Sequence, residues 1–201
     1  DKQNNNSIQS VIISGSSSTT LLAYDTITAT KLKILANTYH RESVRCLTNV
    51  TSTLFASASL DGAIVLWNST TLTPVRRLNQ PEVYINELKM FTCRVSSLLP
   101  LDNGALLAAV VGCCVLVVDV QSGEVVQMTA EAHAADVLCL VSLQGGARVM
   151  TGGADAVVKV WGPPQPVQHG SKSLFSRSKS NAKRSGTTAL QLLDPPLRVH
   201  T

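Results

Sequence analysis

Apolar residues run through this chain in short bursts bounded by Gly, Pro, Asn, Asp or Ser, and no long segment keeps the spacing of an amphipathic helix. Such bursts predict short strands and an all-β chain. Several of them end alike. Leu21-Leu22-Ala23-Tyr24-Asp25, Ile64-Val65-Leu66-Trp67-Asn68, Leu116-Val117-Val118-Asp119 and Val158-Lys159-Val160-Trp161-Gly162 each close on an aromatic or branched residue followed by a polar one or Gly. Tyr24, Trp67, Val118 and Trp161 then lie 43, 51 and 43 residues apart. Two further marks keep step: His40 lies 27 residues before Trp67 and His133 lies 28 before Trp161, and the turn Asp61-Gly62 is matched by Asp155-Ala156.

A period of about 40–45 residues with four strands per unit predicts a partial β-propeller of about four blades, each a four-stranded antiparallel sheet. In the second unit the strands are expected at Val44–Leu47 (a), Leu54–Ser59 (b), Ala63–Trp67 (c) and Val75–Leu78 (d), with Asp61-Gly62 turning b into c. The fourth repeats this at Val137–Val141, Arg148–Thr151, Val157–Trp161 and Thr188–Leu193. The third is expected at Val95–Leu99, Ala105–Val111, Val115–Val120 and Val125–Met128. The first, at Ser10–Ser14, Thr20–Tyr24 and Leu32–Leu35, lacks its strand a.

On these residues the chain resembles the WD40-repeat family over roughly residues 8–162. The resemblance implies a hydrogen-bonded set in each well-formed blade: a loop His, a Ser or Thr on strand b, the turn Asp and the strand-c Trp. Carried over, the sets are His40, Ser57 or Ser59, Asp61 and Trp67 in one blade, and His133, Thr151, Asp155 and Trp161 in the other. A buried imidazole and a buried indole N–H need partners, and a turn carboxylate can supply one. Departures from the family pattern are Tyr39 and Ala132 in place of Gly before the His, Ser16-Ser17-Ser18 at the first turn and Gly112-Cys113 at the third. The first and third blades are therefore expected to rest on apolar packing alone. Ser, His and Asp together also suggest a hydrolytic site, but their recurrence at matching spacing in two units favours a stabilising device. No Gly-x-Ser-x-Gly elbow, phosphate loop or His-Glu-x-x-His helix accompanies them. No catalytic residues, metal ligands or cofactors are assigned.

Hydrophobic residues make up 44% of the 201, enough for a core, and no apolar run approaches the ~18 residues of a membrane-spanning helix. The formal net charge of +4 is local. Residues 163–186 hold Lys172, Arg177, Lys179, Lys183 and Arg184 with no acid, whereas 1–162 nearly balance. A basic nucleic-acid-binding face is not indicated. Cys46, Cys93, Cys113, Cys114 and Cys139 show no metal-ligand spacing and are expected to be small buried hydrophobes in a reducing compartment.

Four segments follow: a flexible end at 1–7, blades at 8–162, a basic Ser-rich c–d loop at 163–186, and strand d with the start of a further blade at 187–201. The closing Leu197-Arg198-Val199-His200-Thr201 resembles the loop that opens a blade, which suggests a piece of a larger, seven- or eight-bladed propeller. Loops as long as 163–186 are usually functional or disordered. Lys172, Leu174, Phe175, Arg177, Lys179, Lys183 and Arg184 are its candidate partner-docking residues, and Ser176, Ser178 and Ser180 its candidate phosphorylation sites.

Within the family, the blade order is similar to that of the WD-repeat subunit of a lysosome-associated complex with two DENN-domain proteins. That implies a cytoplasmic, non-catalytic scaffold recruited to lysosomes, acting in autophagy and small-GTPase regulation, with DENN-domain proteins and a lysosomal membrane protein as partners and no small-molecule substrate. The alternatives are a ubiquitin-ligase substrate receptor, although the Trp-Asp-x-Arg of cullin-4 receptors is Trp67-Asn68-Ser69-Thr70 and Trp161-Gly162-Pro163-Pro164 here, or a nucleic-acid or anionic-membrane binder acting through the basic loop.

Overall fold

Strands that are apolar on both sides cannot face water on either, so sheets built from them must stack face to face. The computed structural model shows this arrangement; it describes residues 10–15, 17, 19–35, 39–78, 94–143, 148–162, 191–192 and 197–198. Among these the regular elements are strands, apart from a 3₁₀ turn at Asp102–Gly104. The first sheet runs in the order β1 (Val11–Gly15), β2 (Leu21–Asp25), β3 (Lys31–Leu35). The second comprises β4 (Val44–Asn49), β5 (Leu54–Ser59), β6 (Ile64–Asn68) and β7 (Pro74–Leu78), again in chain order. The third holds β8 (Val95–Leu101), β9 (Leu106–Val111), β10 (Cys114–Asp119) and β11 (Val125–Thr129). In the fourth, β12 (Val137–Leu143), β13 (Arg148–Gly153) and β14 (Val157–Gly162) are completed by two short segments, β15 (Gln191–Leu192) and β16 (Leu197–Arg198). All pairings are antiparallel, and the architecture is that of a partial propeller, with four successive blades that do not close into a barrel.

The units repeat in backbone detail that their side chains do not share. A bulge interrupts a–b pairing at Val44/Cys46, Val95/Ser97 and Val137/Cys139. Another interrupts c–d pairing at Ala23/Tyr24, Leu66/Trp67 and Val117/Val118. Each b–c turn of the last three blades also donates one N–H to the residue just before strand a: Leu60 to Ser43, Gly112 to Arg94 and Ala154 to Asp136. The polar residue that follows strand c has a mechanical use. Asp25 Oδ1 accepts the N–H groups of Ile27 and Thr28, Asn68 Oδ1 those of Thr70 and Thr71, and Asp119 Oδ1 that of Ser122, so each closes a tight c–d turn. Gly162 holds that place in the fourth blade and has no side chain to close a turn.

Register separates each blade into two faces. The face looking back carries Phe55, Ser57, Val65 and Trp67 in the second blade and Val149, Thr151 and Trp161 in the fourth. The face looking forward carries Ala56, Ala58, Ile64 and Leu66 in the second and Ala108, Val110, Val115 and Val117 in the third. Three apolar cores form where a forward face meets the next backward one. Leu21, Ala23 and Leu35 pack on Phe55, Val65 and Trp67. Ala56, Ala58, Ile64 and Leu66 pack on Leu98, Leu107, Ala109 and Val118. Ala108, Val110 and Val117 pack on Leu140, Val149 and Trp161. At the outer rim, Lys33 Nζ reaches the Thr71 and Leu72 carbonyls and Arg76 Nη1 reaches the Ser122 carbonyl, so a strand-d cation grips the next blade's c–d turn in two successive joints.

Leu197–Arg198 pair with Val157 and Val158, and with Gln191–Leu192 they form the outer edge of the fourth sheet. One expectation is corrected. Cys139 is exposed rather than buried, because it lies on the forward face of the fourth blade, where no other described sheet packs. Cys113 and Cys114 are buried as expected, Cys46 is half-buried, and Cys93 lies outside the described residues, as do residues 163–186.

The b–c turns generate a test. Gly62 takes φ 81°, and Ala156 at the matching place takes φ 58° while exposed to solvent. A left-handed conformation costs an L-residue roughly 1–2 kcal/mol, partly offset by the greater chain entropy that Gly loses on folding. Ala156→Gly is expected to stabilise the chain by about 0.5–1 kcal/mol, read as a higher midpoint of urea unfolding.

Candidate functional site

The polar residues singled out in the sequence meet on the backward faces of the second and fourth blades. In the fourth, β13 and β14 pair Val149 with Trp161 and Thr151 with Lys159, which sets the indole beside the Thr151 hydroxyl. Trp161 Nε1–H donates to Thr151 Oγ1 at 2.8 Å, and Thr151 Oγ1 lies 2.7 Å from His133 Nε2. His133 Nδ1 faces the carboxylate of Asp155, 3.0 Å from Oδ1 and 3.1 Å from Oδ2. One direction satisfies every group: indole N–H to hydroxyl, hydroxyl O–H to Nε2, and Nδ1–H to carboxylate. Asp155 also accepts the N–H groups of Ala134 and Val157, tying the loop before strand a to the b–c turn.

The second blade builds the same chain and leaves out one link. Trp67 Nε1–H donates to Ser57 Oγ at 2.8 Å, and Ser57 Oγ lies 2.7 Å from His40 Nε2. Asp61 accepts from the N–H groups of Arg41 and Ala63, the same two backbone positions that Asp155 serves. Yet His40 Nδ1 is buried without a hydrogen-bond partner. The expected set is therefore a triad plus a separate turn carboxylate. Ser57, not Ser59, is the hydroxyl in it: Ser59 Oγ donates to the Glu42 carbonyl and accepts from the Asp61 N–H.

Two sequence differences accompany the missing link. The His-to-Asp spacing is 21 residues here and 22 in the fourth blade, and Ser59 stands where the fourth blade has Gly153. A Cβ at Gly153 would run into Asp155 Oδ1 and His133 Nδ1, so the closed contact needs the missing side chain. The Tyr39 that replaces the usual Gly is explained by packing. Its ring meets that of Trp67 in a T-shaped contact at 5.5 Å, and Phe55 stacks on the same indole at 6.0 Å. In the third blade the matching positions are Ala109 and Val118, both in an apolar core, in line with the packing expected there.

Burial works against ionisation of Asp155 and Asp61. Hydrogen bonds from His133 and the Ala134 and Val157 N–H groups outweigh it at Asp155, and those from Arg41, Ala63 and Ser59 do so at Asp61, so both carboxyls lie below their usual range. Burial lowers the pKa of His40, with Asp61 opposing and Arg77 adding to the shift. Burial likewise pushes the Cys114 thiol up to about 11, which keeps it protonated and poorly nucleophilic at neutral pH. Ser57 and Thr151 are fully buried, and each hydroxyl is held between an indole and an imidazole. Neither can approach a substrate, and the arrangement is chemically a lock between turn, strand and loop. Among the described residues, no group of three or more His, Cys, Asp or Glu could hold a metal ion, and no helix is long and apolar enough to cross a membrane.

Comparison with known proteins agrees with this division of labour. A family model described as "WD domain, G-beta repeat" matches residues 32–68 and 124–162, each running from an outer strand d through the next blade to the end of strand c. These are the two blades that carry the Trp–hydroxyl–His chain; the apolar third blade is not matched. No curated protein matches the chain. Among solved structures, it is similar to the WD40 beta propeller domain of Doa1, at 23% identity and a TM-score of 0.59 over 75% of this chain. The chain spans 46% of the length of that domain.

Two tests follow. Trp161→Ala and Trp67→Ala should each cost about 3–5 kcal/mol of unfolding free energy, and Gly153→Ala about 1–3 kcal/mol through overpacking, all read by denaturant titration. The second concerns pH. A His whose folded pKa is lowered contributes stability that is complete above its unfolded value of 6.5 and is lost as the pH falls from there toward the folded value. The depressed carboxyls contribute stability present above their unfolded values and lost only at lower pH. The melting temperature should thus fall in two stages on acidification, and His40→Gln should remove the first stage while keeping the second.

Proposed function

We propose that this chain, which belongs to the WD40-repeat family, is a non-catalytic scaffold that presents its loops and rim to protein partners. The observation that carries the reading is where its polar chemistry is spent. The His, Ser, Thr and Trp side chains that could have contributed to a reactive centre are buried and hydrogen-bonded to one another, and the two turn carboxylates are engaged by loop and turn N–H groups. What remains for recognition is the surface of turns and loops, and specificity of such modules lies there rather than in the fold.

The finer reading is the WD-repeat subunit of a lysosome-associated DENN-domain complex, cytoplasmic and recruited to the lysosomal membrane in autophagy and small-GTPase regulation. It is supported by similarity of blade order to WD repeat-containing protein 41: an apolar blade with Leu106-Leu107-Ala108-Ala109-Val110 as its strand b, then Ala132-His133 before the next blade, then a long c–d insertion after Val160-Trp161. In this reading Leu174 and Phe175 form the apolar centre of the insertion and Lys172, Arg177, Lys179, Lys183 and Arg184 its basic flank. The Gly162 that breaks the series Asp25, Asn68, Asp119 supports an insertion at this turn.

The test compares the 201-residue chain with a version in which 171–186 is replaced by a short Gly-Ser linker. The intact chain is expected to retain purified DENN-domain proteins and a lysosomal membrane protein, and the replaced version only the former. Equal retention of both partners by both versions would make the insertion a spacer. Loss of binding that is steep between low and moderate salt, with anionic vesicles or RNA as ligand, would favour the electrostatic alternative.

A further inference from the structure

The joint between the second and third blades is not filled to its end. Both blades have all four strands, so the gap belongs to the joint itself. On the side where the a–b and c–d turns lie, it opens a cleft of about 460 Å³, a size typical of clefts that hold a ligand. Leu54, Leu66, Val75 and Val120 give it an apolar lining, and Val75 is 57% exposed. One wall is the third blade's a–b turn, which is left-handed throughout: φ is 48° at Asp102, 52° at Asn103 and 87° at Gly104. A Cβ at Gly104 would strike the Val50 carbonyl, so this turn is seated directly on the second blade. Successive non-glycine residues in that conformation are rare and gather at functional surfaces. The margin is acidic. Asp119 lines the cleft, and Asp102 and Glu124 belong to the same two turns of the third blade. Against these three carboxylates, the cation lining the cleft is Arg76, whose guanidinium is already held by the Ser122 carbonyl.

We propose that this cleft is the seat of the chain's own segment Lys172-Ser173-Leu174-Phe175-Ser176-Arg177, with Leu174 and Phe175 on the apolar lining and the two cations at the acidic margin. Three observations select this occupant. The first is charge: residues 163–186 hold five cations and no acid, whereas the margin sets three carboxylates against one guanidinium. The second is composition, since adjacent bulky apolar residues between two cations match an apolar cleft with a charged edge. The third is reach. The insertion leaves β14 at Gly162 and returns at Gln191, at the same end of the blades as the cleft. Residues 163–173 alone can extend to about 36 Å, while stacked sheets lie about 10 Å apart. Tethering also raises the local concentration to the millimolar range, so a weak contact suffices. A phosphate on Ser176 sets negative charge beside the acidic margin and releases the segment. The seat does not depend on which partners the insertion serves.

Hydrogen exchange is measured on the 201-residue chain and on the version with 171–186 replaced by a Gly-Ser linker, its fold checked by far-UV circular dichroism. Residues 102–105 and 119–122 should exchange on the order of 10-fold more slowly in the intact chain. A fluorescein-labelled peptide of residues 168–180 is then titrated by anisotropy. It is expected to bind the linker version, and on the order of 10-fold or more weakly to the intact chain, whose cleft is filled. In the linker version, Val75→Asp should abolish that binding by placing a carboxylate in the apolar lining; the position is exposed, so folding should survive. Phosphoserine at position 176 of the peptide should weaken binding on the order of 10-fold. Should Val75→Asp misfold, Asp102→Asn combined with Glu124→Gln decides, since both side chains are exposed and their loss must weaken the peptide. Equal exchange in the two versions, or peptide binding indifferent to these substitutions, would overturn the inference. So would a peptide that binds the intact chain as tightly as the linker version, which would leave the cleft to a segment of another molecule.

Discussion

The structure depends on one constraint: the central strands of the second and third blades are buried on both sides. β9 is buried along its whole length and β10 nearly so. A sheet of that kind has no solvent face to offer, so its stability is inseparable from its neighbours. Stacking resolves the problem for each interior blade, and the burial of Ala56, Ile64, Leu107 and Val117 is its direct result. At roughly 25 cal/mol per Å² of apolar surface removed from water, these joints outweigh any single hydrogen bond in the molecule.

Against that background, the Trp–hydroxyl–His chains act as alignment devices. Each fastens the loop before strand a to the middle of strand b and the end of strand c, three segments that are distant in sequence. In both blades the turn carboxylate ties the b–c turn to the loop before strand a through two N–H groups. Only in the fourth does it also reach the imidazole; in the second, His40 keeps an orphan ring nitrogen. The two blades show how far one motif can be loosened while the strand geometry stays the same.

Much of this was legible in the residues, for identifiable reasons. Strand b of the second blade, Leu54–Ser59, was legible to the residue because an Asp-Gly turn bounds it on one side. The choice between Ser57 and Ser59 was not, because alternation puts both on the backward face, and only the position of the His ring tells them apart. The missing His40–Asp61 contact had a visible trace, the one-residue difference in spacing, but its meaning depends on a close approach that sequence does not show. The pairing of Leu197–Arg198 with β14 was not legible, because strand partnership is decided by an edge about forty residues away in the chain. Exposure of Cys139 depends on which sheet has a neighbour, a property of the array and not of the strand.

The alternation of joint chemistry has a thermal consequence. The core of the seam between the second and third blades is apolar, with Ala109 and Val118 at the places where the second and fourth blades carry a hydroxyl and an indole. Apolar contact weakens as water is cooled, while hydrogen-bonded contact carries an enthalpy that does not fade in the same way. Chilling therefore weakens the apolar cores between blades more than the hydrogen-bonded chains inside the second and fourth.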